Sequence, residues 1–438
     1  MDASAFQPIA TLGTCRIDSP LERLFVGRSD DRRYVDDSLR ILYDETNSSA
    51  VARTAATADL PGFELAGPRG KIYFDPTKLK VGIVTCGGLC PGMNNVIAGL
   101  IQELRTLYGV KSITGFRNGY QGFIAAFGHE TVDLSEVDVQ PMRNQGGTIL
   151  GTSRGSQDPI EIVDCLERLG IGVLFVIGGD GTMRGAQSIA DEIRTRGNKI
   201  AIVCIPKTID NDIPFIDQSF GFQTAFSEAG KAIRAGYIEA TGAPNGVSLI
   251  KLMGRYSGFI ACFAALAETA ADIVLIPEVP FAIDGENGVL KHMEAKLAEK
   301  GHVVVVIAEG SGQEHFDDTT GFDASGNRRL ADIGGYMRER VSQHFIDRGI
   351  EISMKYIDPS YAIRSVAANS YDSVYCTQLA QAAVHAAMAG KTEVVVGRFR
   401  RRFVHLPIPL MVSKTNQVNP DGDLWWSVIE NTGQPAHF

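Results

Sequence analysis

Apolar residues in this chain gather into short runs that stop at glycine or proline, and between the runs they recur at helical spacing. Val81-Gly-Ile-Val-Thr-Cys86, Val173-Leu-Phe-Val-Ile-Gly178, Ile200-Ala-Ile-Val-Cys-Ile205, Val247–Leu252 and Val303–Ile307 are short, rich in β-branched residues and apolar on both sides. Such runs suit strands buried on both faces of a parallel sheet. Helical patterns alternate with them at Asn94–Tyr108, after Asp158-Pro159, at 182–196, Gln223–Thr241 and 259–269, and around 332–348 and 373–389. In the second of these Asp158 is the cap, Pro159 opens the first turn, Ile162, Cys165, Leu166 and Leu169 form the apolar face, and Gly170 ends it. The alternation predicts an α/β fold of mainly parallel sheets flanked by helices.

The first 78 residues lack that alternation. Val35, Leu39, Leu42 and Tyr43 fall on one helical face behind Ser29, Asp30 and Asp31, so the expectation here is an extension with one amphipathic helix. The polar, glycine-bearing stretch His315–Gly326 reads as a loop, and a basic, then apolar tail closes the chain. Neither an internal repeat nor a low-complexity tract is visible.

Composition adds limits. At 438 residues, 44% hydrophobic and 21% charged, the chain reads as a soluble globular protein of two or three domains. A net charge of -9 argues against a nucleic-acid or anionic-membrane surface, so phosphate binding must come from local clusters. The run Arg398, Arg400, Arg401, Arg402 is one such cluster, read as a solvated face or a subunit contact. Seven cysteines, five of them (Cys86, Cys165, Cys204, Cys262, Cys376) in apolar surroundings, suit a reducing compartment, and neither they nor the scattered histidines have zinc-ligand spacing. The N-terminal stretch, with Asp2 and Asp18, lacks the basic start and apolar centre of a secretion signal, and no run of about 18 apolar residues occurs. A cytoplasmic location is expected.

The candidate chemistry lies where the apolar runs stop. Gly178-Gly-Asp-Gly-Thr182 follows one run. Its glycines expose backbone N–H groups and Asp180 stands where a metal-bound polyphosphate would sit; a tight turn with a capping aspartate explains the same string. Pro206-Lys-Thr-Ile-Asp-Asn-Asp212 follows the next run, and Met253-Gly-Arg255 a third. In open parallel sheets ligands sit at the carboxyl ends of strands, so two acid-bearing turns can serve one site. The Gly87-Gly-Leu-Cys-Pro-Gly-Met-Asn94 turn is neither a dinucleotide fingerprint nor a P-loop.

Taken as an ordered set with Gly87-Gly88, Gly147–Arg154, Glu309 and Arg364, these strings resemble the 6-phosphofructokinase family over about residues 80–390, most closely its long ATP-using form of plants and trypanosomatids. The resemblance implies transfer of the γ-phosphoryl of Mg-ATP to the 1-hydroxyl of fructose 6-phosphate. It implies a nucleotide-binding lobe at 79–221 completed by about 364–412, a sugar-phosphate lobe at 222–363, the extension at 1–78 and a tail at 413–438. Asp210 is the implied catalytic base, assisted by Thr208, with Asp212 close by, and Arg154 stabilises the transferring phosphoryl. Gly88, Arg154, Gly155, Gly179, Asp180, Gly181 and Thr182 are implied to bind nucleotide, with Asp180 the Mg²⁺ ligand. Thr208, Ile209, Asp210, Met253, Gly254, Arg255, Glu309, Lys355, Tyr361 and Arg364 are implied to bind the sugar phosphate.

The chain departs from the short bacterial pattern at three positions. Gly246 stands where that pattern has an arginine reaching the neighbouring subunit's sugar phosphate, which leaves Lys355 as the candidate for such a contact. Ala98 and Gln102 replace arginines that serve effector binding, which puts regulation of that type in doubt.

The family divides between ATP and pyrophosphate. Gly181 leaves room for the α-phosphate where a carboxylate would repel it, while Lys207 also occurs in pyrophosphate enzymes; glycine and lysine together match the ATP form. Pyrophosphate as donor, a lipid or NAD kinase sharing Gly-Gly-Asp-Gly-Thr, and a non-catalytic nucleotide- or sugar-phosphate-binding subunit are the rival readings. Expected partners are fructose 6-phosphate and ATP and further copies of the chain, as a dimer or tetramer, with no nucleic acid and no membrane.

Overall fold

A computed structural model describes residues 8–24, 34–43, 61–317, 321 and 329–438. Its strands, in chain order, are β1 (Ile17–Asp18), β2 (Arg40–Leu42), β3 (Gly62–Leu65), β4 (Lys71–Ile72), β5 (Lys80–Thr85), β6 (Ser112–Phe116), β7 (Val132–Asp133) and β8 (Val173–Gly178). They continue with β9 (Ala201–Pro206), β10 (Gly246–Leu252), β11 (Ile273–Leu275), β12 (His302–Ala308), β13 (Ser353–Ile357), β14 (Val394–Phe399) and β15 (Arg402–Pro407). The α-helices are α1 (Met93–Gln102), α2 (Gln140–Arg143), α3 (Pro159–Leu169), α4 (Asp180–Arg196), α5 (Phe222–Thr241) and α6 (Phe259–Glu268). After them come α7 (Val289–Lys300), α8 (Ile333–Asp347), α9 (Ser360–Ser365), α10 (Ser370–Met388), α11 (Ile408–Met411) and α12 (Asp423–Thr432).

The chain divides into two compact units, the first made of residues 1–208, 213–220 and 367–414, the second of 209–212, 221–366 and 415–438. The first is built on a nine-stranded sheet of order β2-β3-β15-β14-β9-β8-β5-β6-β7. Its centre, β14-β9-β8-β5-β6, is parallel, and both edges are antiparallel. β8 and β9 are buried along their whole length, as expected for apolar strands covered on both faces. Asp158 caps α3 by accepting from the Ile160 N–H at 2.9 Å, Pro159 sits in the first turn, and Gly170 ends the helix in the left-handed conformation.

Among the described residues of the N-terminal extension, the expected amphipathic helix is not formed. Residues 40–42 are β2, paired with β3, and the cap candidates Ser29, Asp30 and Asp31 lie outside the described residues. Pairing with β3 extends an existing sheet, and Ile41 and Tyr43 pack on the core beside it, Tyr43 stacking on Phe399 at 6.1 Å. The basic run is a hairpin turn between β14 and β15. Arg400 and Arg401 take positive φ (49° and 61°), and both their N–H groups donate to the Asp217 carboxylate at 2.8 Å.

The second unit holds a four-stranded, wholly parallel sheet of order β11-β12-β10-β13. Its core joins Val247, Leu249, Val303, Val305 and Ile307 of the strands to Met293 of α7 and Met337 and Phe345 of α8. Of the tail expected at 413–438, residues 415–438 belong to this unit and 413–414 to the first. The Gln434 side chain bonds both the N–H (2.7 Å) and the carbonyl (3.1 Å) of Val274, closing the edge of β11. Part of the His315–Gly326 loop lies outside the described residues.

Candidate active site

In the first unit β9, β8 and β5 run parallel side by side, so their carboxyl ends present three turns in a row. Lys207 N–H donates to the Gly178 carbonyl (3.0 Å) and Cys86 N–H to that of Ile177 (2.9 Å), which levels the three ends. The Gly87-Gly88 turn is tied to the 152–154 loop: Gly87 N–H donates to the Ser153 carbonyl at 3.0 Å, and Thr152 Oγ1 to that of Gly87 at 2.6 Å. Those bonds carry Arg154 to Gly88, where a Cβ would lie 3.6 Å from its guanidinium. Lys207, 6% exposed, sends its ammonium 2.8 Å to the Gly88 carbonyl.

Gly179 caps α4 without a side chain, so the positive helix end is open to an anion, while the Gly181 N–H of the first turn is taken by the Asp180 carboxylate. Asp180 opens the helix. Its carboxylate accepts from the Gly181 N–H at 2.6 Å and pairs with Arg184 on the exposed side of the turn. A Cβ on Gly181 would meet nothing within 4 Å, so the space beside Asp180 is open.

In the second unit Asp210 and Asp212 flank Asn211, whose φ of 57° is a left-handed kink that asparagine tolerates. Three contacts hold this turn by its backbone: Ser257 Oγ on the Asp210 carbonyl (2.9 Å), Asn416 N–H on that of Asp212 (2.7 Å) and Asn416 Nδ2 on that of Asn211 (3.2 Å). The Asp210 carboxyl is pushed up to about 8. Burial is the main cause, the Asp212 and Glu309 carboxylates add to it, and the Arg255 N–H and guanidinium pull it back.

The Met253-Gly-Arg255 turn and Glu309 meet through the backbone. Glu309 N–H donates to the Leu252 carbonyl (2.8 Å) and Gly310 N–H to that of Gly254 (3.0 Å). A Cβ on Gly310 would lie 1.9 Å from the Arg255 carbonyl oxygen, so only glycine allows this approach. Burial raises Glu309, while Arg255, Lys251 and Arg364 draw it down. Arg364 lies 4.7 Å from the ring of Tyr361, which is 77% exposed, and Lys355 is exposed on β13 in register with Ser248.

The candidate residues thus fall into two sets. Gly88, Arg154, Gly155, Gly179–Thr182, Lys207 and Thr208 belong to the first unit; Ile209, Asp210, Met253–Arg255, Glu309, Lys355, Tyr361 and Arg364 belong to the second. Sequence reading missed Arg184, Ser257, Asn416, Lys251 and Asp358. A basic residue four positions after Asp180 on a helix was a signal for the first; the others meet their partners only through long-range packing.

Among the described residues no three or more His, Cys, Asp or Glu side chains are grouped to hold a metal ion, and no helix is long and apolar enough to cross a membrane. The phosphofructokinase family pattern matches residues 80–387. The chain is 54% identical to the ATP-dependent 6-phosphofructokinase of Amycolatopsis methanolica, over 98% of this chain and 95% of that one. It is 46% identical to ATP-dependent 6-phosphofructokinase 7 of Arabidopsis thaliana (85% and 77% covered) and 44% to the Trypanosoma brucei brucei enzyme (84% and 76%). The fold matches a pyrophosphate-dependent phosphofructokinase from Marinobacter aquaeolei with a TM-score of 0.67 at 21% identity, covering 81% of this chain and 91% of that one. With that likeness running nearly end to end, the chain belongs to the phosphofructokinase family.

Proposed function

We propose that this protein is an ATP-dependent 6-phosphofructokinase, which moves the γ-phosphoryl of ATP to the 1-hydroxyl of fructose 6-phosphate, giving fructose 1,6-bisphosphate and ADP in glycolysis. The carrying observation is the 54% identity to an ATP-dependent enzyme over almost the whole chain. Gly181, facing open space, is in keeping with a donor that needs room at its α-phosphate.

The side chains have distinct tasks in this reading. The N–H groups at the start of α4 and around Gly88 hold the donor phosphates, and Arg154 offsets charge on the moving phosphoryl. Asp210 takes the proton from the 1-hydroxyl; a carboxyl raised to about 8 is a stronger base than an ordinary aspartate once ionised. Thr208 and Ile209 line the hydroxyl, Met253, Gly254 and Arg255 the sugar ring, Glu309 bonds a hydroxyl, and Arg364, Tyr361 and Lys355 take the 6-phosphate.

Magnesium fits this site as a metal carried mainly by phosphates, with Asp180 the one protein carboxylate to hold it and charge neutralisation its contribution. Its exposed pairing with Arg184 is weak enough to yield. Free cysteines throughout the chain suit the cytoplasm, and assembly into a homo-oligomer is expected.

Lys207 is the feature favouring pyrophosphate. The deciding experiment gives one purified sample fructose 6-phosphate with ATP or with pyrophosphate. Product with ATP alone supports the reading; product with pyrophosphate alone overturns the donor, and no product with either supports a non-catalytic subunit.

A further inference from the structure

We propose that Lys251 is a positioning residue for the acceptor's phosphate: through Asp358 it holds the segment that carries Tyr361 and Arg364. The proposal rests on the phosphofructokinase reading and extends it to a pair of residues that touch no substrate. Lys251 lies near the end of β10, two residues before the Met253-Gly-Arg255 turn. Its ammonium is 2.8 Å from Asp358 Oδ2 and 3.5 Å from Asp332 Oδ1, and its side chain is only 17% exposed.

Asp358 passes the constraint on. Its Oδ1 accepts from the Ser360 N–H at 3.2 Å and the Ser360 hydroxyl at 2.5 Å, which fixes the opening of α9. Tyr361 and Arg364 follow within that helix, stacked on each other at 4.7 Å. A continuous chain of contacts therefore runs from β10 through Lys251, Asp358 and Ser360 to the side chains assigned to the 6-phosphate. The same strand end presents Arg255, so Lys251 sets the spacing between ring-binding and phosphate-binding residues.

The fold makes room for this lysine. Gly334 of α8 has no side chain; a Cβ there would lie 2.9 Å from Lys251 Cδ and 2.3 Å from the Tyr356 hydroxyl. Glu309 lies within the electrostatic reach of Lys251, Asp358, Arg255 and Arg364 together, which places the pair among the acceptor-binding charges. A half-buried ion pair is poor evidence for stability, since desolvation offsets much of its attraction. Its value here is geometric.

Kinetics on the full chain test the proposal, using Lys251→Met, Asp358→Asn and the double variant with fructose 6-phosphate varied at saturating ATP. Lys251→Met should raise KM for fructose 6-phosphate about tenfold or more, with kcat within about threefold of wild type and KM for ATP unchanged. Asp358→Asn should raise it about threefold, because asparagine still caps Ser360 but has lost its charge. The double variant should be no worse than Lys251→Met, as expected for two members of one contact.

An unchanged KM for fructose 6-phosphate in either single variant, or effects that multiply in the double one, would overturn the positioning role. Parallel loss of kcat and of both KM values with a lower unfolding temperature would overturn it in favour of a purely structural pair. Should Lys251→Met not fold, Asp358→Asn alone decides. A wild-type chain that turned over no fructose 6-phosphate would overturn the underlying functional reading as well, which the single-variant results do not touch.

Discussion

The Lys207 ammonium donates a 2.8 Å hydrogen bond to the carbonyl oxygen of Gly88, tying the segment after β9 to the glycine turn after β5. Lys207 thereby straps the turn proposed to hold the donor. Replacing it with methionine keeps the length but leaves a charge-assisted bond unmade, a loss on the order of 1.5–3 kcal/mol. Lys207→Met should lower the unfolding midpoint and raise KM for ATP about threefold to tenfold, with KM for fructose 6-phosphate unchanged. Donor titrations on the purified variant check this; an unchanged KM for ATP would show that the turn needs no strap.

Gly181→Asp probes the donor from the other side. The new Cβ meets no atom within 4 Å, so the variant should fold with a wild-type unfolding midpoint. Its carboxylate stands beside Asp180 in the space assigned to the α-phosphate and repels it. We expect kcat/KM for ATP to fall by about 10² while KM for fructose 6-phosphate stays within about twofold. Retention of wild-type kcat/KM for ATP would end the argument that glycine selects the donor.

The grouping of the strings proposed for the donor was legible in the sequence because they sit at strand ends: Gly87-Gly88, Gly178–Thr182 and Pro206–Thr208 need only the parallel order of β5, β8 and β9 to become neighbours. The residues proposed for the acceptor rest in the sequence only on a family likeness. Glu309 reaches Arg255 because β10 and β12 are paired, and Lys251 reaches Asp358 across chain segments with no local spacing to betray them. β2 was misread for a related reason. Val35, Leu39, Leu42 and Tyr43 have helical spacing, but the partner that decides the matter, β3, lies beyond the helical pattern. Pairing across the sheet outweighed the local helical period.

Asp210 carries two linked expectations. Asp210→Asn should lower kcat by about 10² or more with little change in KM for fructose 6-phosphate. In the wild type, kcat/KM should climb with pH until about 8, since only the ionised carboxyl accepts a proton. Asp212→Asn, which removes the neighbouring charge, should move that limb to lower pH. The sign for stability is the reverse. A carboxyl raised by folding favours the folded state at low pH, and this contribution fades as pH rises towards about 8. Asp210→Asn should therefore be more stable than wild type above pH 8 by thermal unfolding; equal midpoints there would show that burial of the charge carries no cost.

Gly246 and Lys355 give contrasting predictions on neighbouring strands of one sheet. Gly246 starts β10 under the last turn of α5, where a Cβ would lie 2.0 Å from the Ala240 carbonyl oxygen and 2.7 Å from its Cα. These are backbone atoms that no rotamer change relieves, so any side chain forces the helix end off the strand. Gly246→Arg, which installs the bacterial residue, should cost about 2 kcal/mol or more in stability and bring no gain in KM for fructose 6-phosphate. Lys355 instead stands exposed on β13, paired in register with Ser248. Lys355→Ala should leave the unfolding midpoint in place and raise KM for fructose 6-phosphate severalfold, because the cation lost is an exposed one. Thermal unfolding with acceptor titration separates the two positions, and a tolerated Gly246→Arg with improved KM would mean that α5 can yield and that the bacterial contact is available after all.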